Sequence, residues 1–229
     1  EREEEYVAFA RSIAECELDA AVLGHPGVWA AEREKVMEQI LNLVRYDAQR
    51  CAAENRFPAQ FEFAFKDEMA VPLGELKLKG KVDRVDLLFA ESGELKKVRV
   101  LDYKGASRAR SGPEDYRREI IRNLDCQLPV YAFAAQRHWF GEHNTAAANA
   151  MTEAGYLFYE RRLSDVSTKS RKSLIALDEP DLLEGFVGTL IENIRRLKEC
   201  DFAVDPLIAS YTDYVSICRT TPVTLDELD

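Results

Sequence analysis

Few stretches constrain a chain as tightly as Lys97-Val98-Arg99-Val100-Leu101-Asp102-Tyr103-Lys104. Strand side chains alternate from face to face. Read as a strand, the octet therefore places Val98, Val100, Asp102 and Lys104 on one side. An apolar stripe thus ends in a carboxylate and an ammonium that point the same way. Charge on the core side of a strand is costly to bury, which marks Asp102 and Lys104 as candidates for chemistry. A strand that leaves the core at Leu101 and ends in a solvated ion pair is the favoured reading of the tripeptide alone. Partners upstream and downstream shift that balance.

Upstream, Tyr6, Phe9, Ala10 and Ile13 follow helical spacing and predict a helix over residues 3–20. Gly24-His25-Pro26-Gly27 breaks it, and a long second helix follows to about Asn55, with Trp29, Val36, Met37, Ile40, Leu43 and Val44 as its core stripe. His25, a lone histidine beside a proline, reads as a turn residue rather than a ligand. Phe61-Glu62-Phe63-Ala64-Phe65 alternates as a strand, its phenylalanines on one face and Glu62 with Ala64 on the other. A second strand or hairpin arm covers about Glu75–Phe89. Its apolar phase switches from Leu76, Leu78 and Val82 to Val85, Leu87 and Phe89, which points to a bulge or twist near Asp83.

Downstream of Lys104, Ser111-Gly112-Pro113-Glu114 has the form of a capping box and opens a helical pattern running to about Trp139, bent near Pro129. Residues 141–152 read as a loop, Gly155–Glu160 as a strand, and Pro180 to about Glu199 as a closing helix. Residues from Phe202 onward are irregular, with a short helix around Asp213–Cys218.

A length of 229 residues suits one domain, and 46% hydrophobic with 31% charged residues is ordinary for a soluble globular protein. No apolar run reaches membrane-spanning length, and no signal peptide is legible. The five cysteines, Cys16, Cys51, Cys126, Cys200 and Cys218, contain no C-x-x-C pair and favour a reducing, cytoplasmic setting over a disulfide framework. A net charge of −10 argues against general coating of polyanions. Locally the balance reverses. From Lys96 to Asn123 nine Lys or Arg stand against four Asp or Glu, and from Arg161 to Lys172 five stand against one. Such a strip fits one phosphate backbone beside a cation site, and it fits a mixed solvated surface equally well.

In chain order the candidates are Glu62, Asp83 after Gly80, Asp102-x-Lys104, and Gln127 with Tyr131 four residues on, on one helix face. Taken alone, the last pair is a buried tyrosine stem with a polar neighbour. Three segments, Gly80-Lys81-Val82-Asp83-Arg84-Val85-Asp86, Leu101-Asp102-Tyr103-Lys104-Gly105 and Cys126-Gln127-Leu128-Pro129-Val130-Tyr131-Ala132, together resemble the RecB-like branch of the PD-(D/E)xK nucleases. That branch includes the nuclease domains of AddB-type subunits and small CRISPR-associated exonucleases. The likeness runs from about Pro58 to Tyr131 and continues weakly to the C-terminus.

The resemblance implies a restriction-endonuclease-like α/β core, a central mixed β-sheet flanked by helices. A single domain over 1–229 would comprise N-terminal helices (1–56), catalytic core (57–200) and C-terminal extension (201–229). It implies that Asp83, Asp102 and the Tyr103 carbonyl hold Mg²⁺ or Mn²⁺, and that Lys104 acts on the attacking water. By the same resemblance Gln127 and Tyr131 support the site or the substrate, and Glu62 either backs the metal's ligands or is linked to the metal itself; Arg84, Arg108, Arg110, Arg118 and Arg122 are the candidate DNA contacts. Phosphodiester hydrolysis asks for such a set independently, because hard oxygen ligands hold a cation that neutralises the phosphate and acidifies water.

Two departures stand out. The family's early metal-binding His, preceded by a glycine, is poorly matched by His25. Many AddB-like relatives carry an iron–sulfur cluster on a C-x-x-C-x5-C run. The matching stretch here, Ala209 to Cys218, keeps only the last cysteine, so no cluster is expected. The implied partners are DNA and a helicase domain or subunit of an AddAB/RecBCD-like repair complex, with no membrane. A degenerate DNA-binding or scaffold module of the same fold and a stand-alone CRISPR-type nuclease are the rival readings.

Overall fold

The computed structural model describes residues 2–21, 24–66, 71–73, 76–122, 125–141, 151–178 and 180–201. Two helices lead, α1 (Arg2–Ala20) and α2 (Pro26–Glu54). His25 caps α2: its Nδ1 accepts the Gly27 N–H at 3.2 Å, Pro26 opens the first turn, and Asn55 closes the far end in the left-handed conformation. The two helices share a small core of Val7, Ala14, Met37 and Leu41, separate from the main one.

Strands β1 (Arg56–Phe65), β4 (Gly80–Phe89), β5 (Leu95–Lys104), β6 (Thr152–Phe158) and β7 (Ile175–Ala176) form one sheet in the order β1-β4-β5-β6-β7. A hairpin of β2 (Val71–Leu73) and β3 (Leu76–Leu78) stands apart. Among the described strands only β5 and β6 pair in parallel, so the chain crosses over between them by way of α3 (Pro113–Ile121) and α4 (Gln127–Phe140). Helices α5 (Leu163–Lys172) and α6 (Pro180–Lys198) follow. The result is a mixed sheet with helices on both faces, the restriction-endonuclease-like arrangement.

On one face Phe65, Val82, Val98, Val100 and Phe158 pack against Tyr116 and Ile120 of α3, Leu128 and Ala132 of α4, and Phe186 of α6. The opposite face sets Leu101 and Leu157 against Tyr46 of α2 and Val166 of α5. Each fully buried apolar side chain of this kind stabilises the fold by about 1.5–3 kcal/mol. Among the described residues no helix is long and apolar enough to cross a membrane.

Several sequence expectations are corrected. Phe61 does not share a face with Phe63 and Phe65: it is 59% exposed while they are buried. Glu62 between them has φ +54°, which resets the alternation. Glu62 lies between Phe61 and Phe63, whose ladder partners are Arg84 and Val82, so the reset falls opposite Asp83, where the β4 phase switch was expected. The arm expected over 75–89 divides into β3 and β4.

The long helix expected after Gly112 is two helices, and Pro129 sits in the first turn of α4 rather than at a bend. The box at the start of α3 is displaced by one residue: Gly112 is the cap, and its N–H donates to Asp115 rather than to Glu114. Helix α5 and strand β7 have no counterpart in the sequence reading. The short helix expected over 213–218, together with Cys218, lies outside the described residues.

Candidate active site

Strand β5 carries Asp102 and Lys104 to its C-terminal end on the face of Val98 and Val100, which are fully buried. Asp102 follows them inside and is 2% exposed, whereas the Lys104 side chain keeps 26% of its surface. The ammonium pairs with Asp102 Oδ2 without the alignment of a hydrogen bond, leaving that buried oxygen with an unsatisfied lone pair. Burial pushes the Asp102 carboxyl above the usual carboxylate range; Lys104 pulls it back, and the charges of Asp83 and Asp125 add to the rise.

Asp83 arrives from β4. Its Oδ2 accepts the Tyr103 N–H at 2.9 Å, tying the carboxylate to the backbone between Asp102 and Lys104. Asp83, Asp102, Tyr103 and Lys104 are therefore one cluster. Among the described residues no three His, Cys, Asp or Glu side chains gather to hold a metal ion. A divalent cation still suits the place, because two hard carboxylates stand at it and Asp102 Oδ2 is buried without a hydrogen bond.

Gln127 and Tyr131 share a face of α4, with Gln127 Nε2 donating to Tyr131 Oη at 3.3 Å. The Tyr131 ring packs edge-on against Phe65, and both crowd Gly80, where a Cβ would lie 2.6 Å from Phe65 Cζ and 3.4 Å from Tyr131 Cε1. Glycine is required there for close approach, and it brings β4 and α4 together three residues before Asp83. Glu62 lies further out, largely exposed and paired with Lys81.

The PD-(D/E)XK nuclease superfamily model matches residues 1–219. The chain belongs to the PD-(D/E)XK nuclease superfamily. No curated protein matches it at a significant level.

Within this PD-(D/E)XK domain the five expected DNA-contacting arginines separate. Arg84 is corrected: it is 3% exposed and lies in the interior, donating to Asp86 at 2.6 Å and to Asp47 of α2 at 2.9 Å, so its charge does not reach a surface. Arg108 pairs with Asp125 at 3.0 Å and Arg110 with Glu119 at 2.6 Å, both half-buried. Arg118 and Arg122, also half-buried, are engaged with neighbours as well.

Sequence reasoning missed Asp125 and Tyr156. Tyr156 stands opposite Asp102 in the parallel ladder and is fully buried, and its hydroxyl donates to Asp125 Oδ2. Burial, then the Asp125 carboxylate, pushes the Tyr156 phenol far above its ordinary value. Asp125 Oδ1 meanwhile accepts the Gln127 N–H at 3.1 Å and so satisfies a donor at the start of α4. An Asp two residues before Gln127 is a helix-start signal, hidden by the expectation of one continuous helix.

Proposed function

We propose that the chain is a metal-dependent DNA nuclease of the RecB/AddB type, serving as the nuclease domain of a cytoplasmic helicase–nuclease system for DNA repair. The single observation that supports this reading is the convergence of Asp83, Asp102 and Lys104 at one end of β4 and β5, with the Tyr103 amide fixing Asp83. In this reading Asp83, Asp102 and the Tyr103 carbonyl hold Mg²⁺ or Mn²⁺. When bound, the ion neutralises phosphate charge and makes a water acidic enough to attack.

The chain's own residues do the rest. Lys104, partly exposed beside Asp102, orients the attacking water through its ammonium. Gln127 and Tyr131 present a hydrogen-bonded pair along α4 that supports the substrate, and Glu62 supports the metal side from β1. Arg108, Arg110, Arg118 and Arg122 are the proposed backbone contacts, with the arrangement of 1–56, 57–200 and 201–229 as one unit.

The test is cleavage of single- and double-stranded DNA in Mn²⁺, with Asp102→Ala alongside. We expect cleavage by the natural protein and none by the variant. Equal activity in the two would overturn the assignment, and inactivity of the natural protein on both substrates would favour a DNA-binding module of the same fold.

A further inference from the structure

Behind the cluster lie Tyr156 and Asp125, to which the proposed chemistry gives no part. Tyr156 shares the core-side face of the sheet with Asp102 and Lys104, and its ring centroid lies 5.7 Å from Lys104 Nζ and 5.8 Å from Arg108 Cζ. The ring has little freedom. Tyr116 and Phe158 pack against it, with centroids 5.9 Å and 6.1 Å away. Its hydroxyl is tied to Asp125 Oδ2, the same oxygen that Arg108 holds at 3.0 Å.

A lysine ammonium rides on a flexible four-carbon stem, so its place is set by what it meets. Here it meets the Asp102 carboxylate and the Tyr156 ring. A carboxylate shared with a metal ion attracts the ammonium less, whereas the negative face of an aromatic ring still attracts it. We propose that Tyr156 is a positioning residue: its ring, packed against Tyr116 and Phe158, holds the Lys104 ammonium beside Asp102. The catalytic consequence rests on the nuclease reading above; the placement of Lys104 does not.

Two measurements on the full chain separate these. The first is nuclear magnetic resonance of the lysine ε-methylene groups, with Lys104→Ala identifying the Lys104 signal. A ring-current shift of that signal in the natural protein, kept in Tyr156→Phe, is expected. Its absence from the folded natural protein overturns the proposal whether or not any DNA is cut. The second is steady-state cleavage of a single-stranded oligonucleotide in Mn²⁺. Tyr156→Phe keeps the ring and should stay within about twofold of the natural kcat, while Tyr156→Leu should lose on the order of tenfold in kcat with KM unchanged. Should Tyr156→Leu fail to fold, as its melting curve will show, the methylene shift decides alone. A folded Tyr156→Leu with natural kcat overturns the positioning role; a natural protein that cuts nothing but shows the shift overturns only the nuclease reading.

Discussion

Asp102 is held where a carboxylate is least at ease, sealed from water with one oxygen lacking a hydrogen bond. Its folded-state pKa is raised, chiefly by burial. Such a group favours the fold below its unfolded pKa, and that advantage is lost as pH rises through the folded one, so at neutral pH the ionised Asp102 opposes folding. Asp102→Asn should therefore raise stability at neutral pH by about 1 kcal/mol, or about 2–4 °C in Tm for a chain of this size. The gain should shrink towards about pH 4, as the natural carboxyl takes up its proton. Melting curves of both proteins across that range check the sign, and a destabilised variant at neutral pH would contradict it. Lys104→Ala should abolish cleavage while DNA affinity changes little, because one phosphate contact among several contributes modestly; a cleavage assay and a binding titration on the same preparation test it. Asp102 and Lys104 were legible in the sequence because the period of two put them on the apolar face of their strand, whereas Asp83 was legible through the resemblance of its segment to a nuclease family. Tyr156 was not, because its role depends on the register of a parallel partner strand whose crossover spans some fifty residues.

Helix α2 is joined to the sheet by charge as well as by Tyr46. Asp47 accepts from Arg56 and Arg84, both of which are buried, and these in turn hold Asp86, which is wholly enclosed. Removing one carboxylate strands buried guanidinium groups, so Asp47→Ala should cost about 3 kcal/mol in urea unfolding, and a loss below about 1 kcal/mol would show that water reaches the arginines. Gly80 makes a second joint. A methyl there drives into Phe65 and Tyr131, and Gly80→Ala should cost about 1–3 kcal/mol by displacing the two rings. Helices α1 and α2 were readable as helices from their spacing and the Gly24–Gly27 break, but the buried face of α1 was not: Tyr6, Phe9 and Ile13 of the expected stripe are exposed, and Val7 and Ala14 are the residues α1 buries. Two features of the core resisted. The phase reset at Glu62 requires a left-handed backbone that nothing about a glutamate announces, and the break between α3 and α4 lies in a run whose apolar residues keep helical spacing across it.

Across the whole molecule, a net charge of −10 meets, on the proposed reading, a substrate of the same sign. The basic strip that offset this in the sequence is largely turned inward by pairing. Lys97 and Arg99 bind Glu153, Lys104 binds Asp102, Arg108 binds Asp125, Arg110 binds Glu119 and Arg117 binds Glu114. Cations already matched to carboxylates release few counterions when DNA arrives. Affinity falls with salt by a slope of about −0.9 per phosphate neutralised, so a log–log slope no steeper than about −4 is expected, and the divalent ion should carry much of the attraction instead. Binding of a labelled oligonucleotide to Lys104→Ala, which leaves the substrate intact, should therefore weaken more on chelating Mn²⁺ than on raising salt from about 50 to about 200 mM. A slope steeper than about −6 with no response to chelation would mean that the internal pairs open on binding and that more cations than the four proposed arginines, and no shared metal ion, hold the strand.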